Sequence, residues 1–263
     1  MLGHMSISIQ EKVCVVTGAA RSIGLAIAEK YCQDGAKVAM IDINPEVTSQ
    51  ADRLSSAGAT VKGYIVDITD QQAVFACFDD IEKRLGPVFA LVNNAGLVDQ
   101  RPFEENTPEQ IDKIMRVNVN GTIYCSQGAL KSMKSLGDGR IINFSSKSGK
   151  TGSALMAPYS AAKGAIIALT HAMAFEFAGK NIKINCVCPG ITDATGVWSV
   201  VSEGYTKNLQ MPREEVIKKF TAKVPLGRLT EIEDIVEFVY FLTVHGDYCT
   251  GQAFNITGGR EMH

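Results

Sequence analysis

The sequence predicts a single-domain α/β protein: a seven-stranded parallel sheet, doubly wound by helices on both faces. Three features predict it. Seven short β-branched runs alternate with longer amphipathic stretches. Most of the runs are continuously apolar, as strands covered on both faces are. The first run leads into a glycine-bearing turn that opens a helix, Thr17-Gly18-Ala19-Ala20-Arg21-Ser22-Ile23-Gly24.

In chain order, strands are expected at Lys12–Thr17, Lys37–Ile41, Val61–Val66, Val88–Val92, Arg140–Phe144, Asn181–Val187 and Gln252–Ile256. Helices are expected between them near 23–34, 45–57, 70–85, 107–133, 158–179 and 230–244. Thr69-Asp70, Thr107-Pro108 and Pro158 supply helix starts, because a short polar side chain satisfies the first free N–H groups and proline lacks one. Gly35, Gly86 and Gly179 supply stops. Residues 192–225 break the rhythm: the stretch carries Trp198, Tyr205 and a short helix pattern after Pro212. It is too short for a core of its own, so it reads as a substrate lid inserted into one catalytic domain spanning 9–263. Residues 1–8 read as a flexible start, its first residues Met-Leu-Gly-His-Met resembling a cloning remnant with none of the basic and apolar regions of a signal peptide.

Composition restricts the ligand. The 263 residues carry 26 basic and 28 acidic side chains, a formal charge of −2. That balance offers no electrostatic footprint for nucleic acid and no basic patch for an anionic membrane, which leaves a small molecule. Seven scattered cysteines suit buried reduced thiols and a cytoplasmic location better than a disulfide framework. Cys186 and Cys188 share one strand face without a second ligand cluster, and the four histidines have no ligand spacing, so no metal site is expected.

Glycines at a strand-to-helix turn let the backbone approach a pyrophosphate seated on the helix N-terminus. Gly18, Arg21, Ser22, Ile23 and Gly24 are therefore cofactor-binding candidates. The second strand runs into Ile41-Asp42-Ile43, where an acidic side chain can accept from the adenosine ribose hydroxyls and would repel a 2′-phosphate. Arg21 could pair with that phosphate instead. Asp42 opposes it directly and Ile43 adds no second positive charge, so NAD is expected over NADP. Asp67-Ile68 and Asn94-Ala95-Gly96 follow the third and fourth strands at the carboxyl edge, where doubly wound sheets bind ligands.

The fifth strand ends at Ser145-Ser146, and Tyr159-Ser160-Ala161-Ala162-Lys163 follows. Tyrosine and lysine four apart share a helix face. A phenol is too weak a base at neutral pH, but an adjacent ammonium and an oxidised nicotinamide both favour phenolate. Tyr159 could then accept the proton of an alcohol as hydride leaves its carbon, with Ser146 holding the same oxygen.

Taken in order, Thr17-Gly18…Gly24, Asn93-Asn94-Ala95-Gly96, Val117-Asn118-Val119-Asn120-Gly121, Ser146, Tyr159…Lys163 and Pro189-Gly190 resemble the short-chain dehydrogenase/reductase family in its short form, from Glu11 to Gly259. The resemblance implies a Rossmann-type fold and an alcohol dehydrogenase or ketoreductase with Tyr159 as acid/base. It implies that Lys163 tunes Tyr159 and binds the nicotinamide ribose, and that Asn118 holds a water linking Lys163 to solvent. Pro189, Gly190 and Ile191 would flank the nicotinamide. Two positions depart from the family. Ser22 stands where glycine is usual, which tightens the pyrophosphate approach. Ala194 stands where a threonine is common, leaving Thr192 or Thr195 to meet the cofactor, with Thr192 preferred.

Substrate walls are expected from Leu97, Asp99 and Gln100, from 147–156, and from the lid. Lys147, Lys150, Ser153, Asp99 and Asp193 give a polar mix suited to a hydroxylated substrate, unless the charges face solvent. Lys147, Ser153 and Trp198 are the substrate candidates beside Ser146 and Tyr159. The lid's length and Pro225-Leu226-Gly227-Arg228-Leu229 look similar to polyol and diol dehydrogenases of the family. The alternatives are an NADPH-dependent 3-oxoacyl thioester reductase, helped by Arg21 and opposed by Asp42, and a non-catalytic dinucleotide-binding regulator, opposed by the intact Ser146, Tyr159 and Lys163. The resemblance implies a homotetramer, for which Ala165, Ile166, Leu169, Ala172, Met173 and Phe177 form a broad apolar stripe.

Overall fold

In a computed structural model, residues 7–192, 206 and 212–263 are described. They form one domain with seven parallel strands in the order β3-β2-β1-β4-β5-β6-β7. The strands are β1 Val13–Thr17, β2 Lys37–Asp42, β3 Val61–Ile65, β4 Val88–Asn93, β5 Gly139–Phe144, β6 Ile182–Pro189 and β7 Ala253–Ile256. β1, β4 and β5 are buried at every residue, which accounts for their unbroken apolar runs. Strand order reverses between β1 and β4, and the crevice at that switch point is where such sheets take ligands.

Helices α1 Ser22–Gln33, α2 Glu46–Ser56, α3 Gln71–Arg84, α4 Pro108–Met115, α5 Gly121–Leu136, α6 Lys147–Thr151, α7 Ala157–Phe177, α8 Arg213–Thr221 and α9 Ile232–Val244 complete the described elements. Two apolar clusters cover the sheet. One joins α1 and α9 through Ile27, Tyr31, Ile235 and Val239; the other joins α3, α5 and α7 through Phe78, Ile81, Cys125, Met133 and Met173. The expected starts hold. Asp70 accepts from the Ala73 N–H at 3.0 Å. Thr107 and Gln110 form a reciprocal capping box with Pro108 in the first turn. The described chain begins at Ile7, whose N–H donates to the Val244 carbonyl at 3.0 Å.

The structure departs from the sequence pattern at four places. The single helix expected over 107–133 is interrupted by a π-helical turn, Arg116–Asn120, before it continues to Leu136. α7 stops at Phe177, and the left-handed residue beyond it is Asn181, not Gly179. A short helix, α6, follows Ser146 in the expected substrate wall 147–156, where no helix was expected. The apolar stripe on α7 divides: Ile166 and Met173 are core, Leu169 and Phe177 pack partly against it, and the exposed apolar side chains are Ala161, Ala168, Ala172 and Phe175. All seven cysteines are free; five are buried, while Cys32 and Cys249 are half-buried. Among the described residues no helix is long and apolar enough to cross a membrane.

Candidate active site

The glycine turn forms a cradle that side chains would fill. A Cβ on Gly24 would lie 2.1 Å from the Gly18 carbonyl oxygen, and one on Gly18 would lie 2.8 Å from Asn94 Nδ2. Asn94 Nδ2 donates to the carbonyls of Thr17 and Gly18, both at 3.1 Å, and the Ala95 N–H donates to Thr17 Oγ1 at 3.1 Å. The ends of β1 and β4 are thereby tied together beneath the turn. Arg21, the N-cap of α1, gives its helix no side-chain hydrogen bond, so the first N–H groups remain available to an anion.

Ser22 explains why this turn favours glycine. Its φ is +54°, in the left-handed region, and its Oγ is buried without a partner. A side chain in that region costs about 1 kcal/mol. Ser22→Gly is expected to raise the stability of the cofactor-free protein by roughly that amount, read as a higher denaturation midpoint at unchanged slope; a lower midpoint would refute the strain.

From this turn a groove runs past Asp42, Ile43, Asp67, Ile68, Ala95 and Gly96. Asp42 Oδ2 accepts from the Ala20 N–H and Oδ1 from the Asn44 N–H, both at 2.9 Å, which holds the carboxylate at the mouth of the turn. Ile43 is 66% exposed, an uncovered apolar face in this polar crevice. Arg21 lies on the same groove, and Asp112, Lys113 and Arg116 line its far bank. Sequence reading did not pick out those three. Their only signal was membership in a helix, and the π-helical turn decides which side chains that helix presents to the groove. The groove fits a dinucleotide: a glycine cradle, a free helix N-terminus, a fixed carboxylate and an apolar face follow one another along it.

At its inner end a cavity of about 160 Å³ opens beside Ser146, Tyr159 and Lys163. Tyr159 belongs to a buried cluster with Ile114, Met156, Val216 and Phe220, which joins α4, α7 and α8. Burial pushes Tyr159 up to about 12, and a hydrogen bond from Ser146 pulls it back. The phenolate expected from the sequence is thus disfavoured without cofactor, because desolvation outweighs the Ser146 hydrogen bond. Ser146 caps α6 by accepting from the Ser148 N–H at 3.1 Å. Lys163 is 4% exposed, and its Nζ donates to the Phe144 carbonyl at 2.8 Å, 5.7 Å from the Tyr159 ring centroid. Burial lowers Lys163 to about 8.

Asn118 sits in the π-helical turn and is fully buried. Its Nδ2 donates to the carbonyls of Leu97 (2.8 Å) and Ile114 (3.0 Å), and its Oδ1 accepts from the Leu97 N–H (3.3 Å). A Cβ on Gly96 would come within 2.9 Å of Asn118 Oδ1 and 3.4 Å of Lys163 Nζ, so glycine keeps these two groups in reach of one space.

Pro189, Gly190, Ile191 and Thr192 form another wall of the cavity. The segment 145–153, with Lys147, Ser148 and Ser153, supplies half of its polar lining residues, while Leu97, Val98, Met156 and Phe220 belong to its apolar part. Two expected polar groups are elsewhere. Lys150 donates to the Ala253 carbonyl at 2.6 Å, and Asp99 pairs with Arg101 at 2.6 Å. Trp198, Tyr205, Asp193 and Thr195 lie outside the described residues. Phe220 was missed because its contact with the site comes through tertiary packing of α8 and has no motif.

A family model described as short chain dehydrogenase matches residues 12–206. The sorbitol dehydrogenase of Cereibacter sphaeroides is 36% identical, over 95% of this chain and 98% of that protein. The 2-(S)-hydroxypropyl-CoM dehydrogenase 3 of Xanthobacter autotrophicus is 38% identical, over 97% and 98%. The crystal structure of NAD+-bound xylitol dehydrogenase superposes with a TM-score of 0.91 at 29% identity, covering 95% of this chain and 99% of that one.

Proposed function

Since the chain belongs to the short-chain dehydrogenase family, we propose that it is an NAD-dependent dehydrogenase of polyols or small vicinal diols, with Tyr159 as the acid/base. The observation that carries this reading is the meeting of Tyr159, Ser146 and Lys163 in one cavity at the inner end of the dinucleotide groove. Gly18, Ser22, Ile23 and Gly24 would hold the pyrophosphate, and Ile43, Asp67 and Ile68 the adenosine. Asn94, Ala95, Gly96 and 189–192 would surround the nicotinamide, which when bound accepts or returns a hydride. Tyr159 takes the alcohol proton during oxidation and returns it during reduction. Ser146 fixes the substrate oxygen in line with it. Lys163 keeps a positive charge beside the phenol, and Asn118 orders the space through which the proton leaves for solvent. A substrate lid at 192–225 belongs to the same reading; residues 193–205 and 207–211 of it lie outside the described residues.

Asp42 decides the nucleotide. A 2′-phosphate placed by its carboxylate would meet a fixed negative charge, whereas ribose hydroxyls find an acceptor. Initial rates at equal concentrations are expected to favour NAD over NADP, and Asp42→Ala is expected to narrow that preference about tenfold or more, the scale of one charge-assisted hydrogen bond. Faster turnover of the unaltered enzyme with NADP would sink the assignment.

The exposed face of α7, with Ala161, Ala168, Ala172 and Phe175 (90% exposed), offers small residues around one large apolar anchor. We assign it to assembly as a homotetramer. Light scattering is expected to give four times the 28.3 kDa chain mass, and a clean monomer would refute it.

A further inference from the structure

A lysine on the wall of the cavity and two cations beside its Phe220 wall bring more positive charge near this site than a neutral polyol requires. Lys147 follows the proposed catalytic Ser146 directly and lines the cavity. Its ammonium gives one hydrogen bond to the Gly152 carbonyl at 3.2 Å. An ammonium has three donors, so two remain without a partner among the described residues.

Phe220, another wall of the same cavity, is flanked by two further cations. The Arg260 guanidinium lies 5.4 Å from its ring centroid and the Lys223 ammonium 5.8 Å. Burial lowers the Lys147 ammonium most; the Arg260 and Lys223 charges lower it further, and the Glu261 carboxylate acts in the opposite direction.

The segment bearing Arg260 is held by a specific fold-back. Gly258 and Gly259 turn the chain with φ of +61° and +88°, and the Leu226 N–H donates to the Gly258 carbonyl at 3.1 Å. The Glu261 N–H donates to Thr257 Oγ1 at 3.3 Å, and Asn255 Nδ2 donates to the Glu261 carbonyl at 3.0 Å. Glu261 offsets one charge as an ion pair, its Oε1 3.3 Å from Arg260 Nε. Arg260, 14% exposed at its side chain, still has Nη1 buried without a partner. Among the described residues, these three cations and one carboxylate leave an excess of two positive charges near a largely apolar cavity, where a charge is weakly screened.

We propose that the substrate of this site carries a terminal oxyanion, a phosphate ester or a sulfonate, contacted by Lys147 and held in the field of Arg260 and Lys223. This rests on the dehydrogenase reading above and adds the class of alcohol. The reacting hydroxyl lies at Ser146 and Tyr159, and the anion lies toward α8 and the segment after β7.

Matched pairs test it with NAD at fixed ionic strength: sorbitol against sorbitol 6-phosphate, and propane-1,2-diol against 2-hydroxypropane-1-sulfonate. The charged member of at least one pair is expected to have a kcat/KM about tenfold or more above its neutral partner, and the pair that responds distinguishes phosphate from sulfonate. Lys147→Gln should bring that ratio to about one, and Arg260→Gln should lower it several-fold. Circular dichroism and NAD binding report whether each variant is folded. A preference for the neutral members, or a charged preference that survives both variants, overturns the proposal. If none of the four alcohols is oxidised, the dehydrogenase reading fails separately. Calorimetry of the two charged compounds on NAD-saturated protein then decides the anion site: binding weakened by Lys147→Gln supports it, and absence of binding refutes it.

Discussion

Tyr159→Phe is expected to lower kcat for alcohol oxidation by about a hundred- to ten-thousandfold while NAD binding persists. The change removes one hydroxyl and keeps the ring in its buried cluster with Ile114, Met156, Val216 and Phe220, so the site keeps its shape. A loss of that size then reports proton transfer. The phenol's environment makes the same point through pH. Burial pushes Tyr159 up to about 12 without cofactor, and only the Ser146 hydrogen bond opposes it. A positively charged nicotinamide and the Lys163 ammonium act in the direction of phenolate. Oxidation needs phenolate, so its rate should rise with pH toward the value set by those charges; carbonyl reduction needs phenol and should fall over the same range. In Tyr159→Phe both dependences should vanish along with the rate. Undiminished oxidation, or a residual rate with the original pH profile, would show that another group moves the proton.

The sequence disclosed most of the architecture because the sheet is covered on both faces, leaving continuous apolar runs that cannot be mistaken for exposed strands. It disclosed the inner site because Ser146, Tyr159 and Lys163 are fixed by local geometry, a strand end and one turn of one helix. Features set by tertiary contact were out of reach. The π-helical turn at 116–120 leaves an apolar pattern a straight helix would also show, and the resemblance marked Asn118 for its role without marking the turn that carries it. Lys147 and Lys150 are three apart in one short charged run, yet one lines the cavity and the other reaches the Ala253 carbonyl. Ser22 is intermediate: the family pattern marks it as unusual, and only its φ of +54° gives the physical reason. Arg260 reaches Phe220 through a fold-back that Gly258-Gly259 permits but does not announce.

Lys163→Met is expected to separate function from stability. Lys163 is 4% exposed, its ammonium has one hydrogen bond, to the Phe144 carbonyl, and burial lowers it to about 8. In the unfolded chain a lysine titrates near 10.5. Between those values the unfolded state binds more protons than the folded one, so stability rises with pH through this window. Below about 8 the burial penalty is present in full; a lowering of that size corresponds to about 3 kcal/mol. Methionine is apolar and of similar length, so it removes the penalty, while the Phe144 carbonyl loses its donor at a cost of about 1–3 kcal/mol. At pH 7 the variant should therefore be at least as stable as the unaltered protein. Above pH 10 the unaltered protein loses its handicap and the comparison should shift in its favour. Activity should behave oppositely. Without the ammonium beside Tyr159, the phenol stays protonated to higher pH and the nicotinamide ribose loses a donor, so kcat/KM should fall by about a hundredfold or more. Unfolding midpoints at pH 7 and pH 10, together with NAD-linked rates, measure both effects. A variant much less stable than the parent at pH 7 would mean that Lys163 is a structural cation. A variant both stable and active would remove it from the mechanism. A stable, inactive variant would show that the fold bears this buried charge for the sake of the phenol four residues before it.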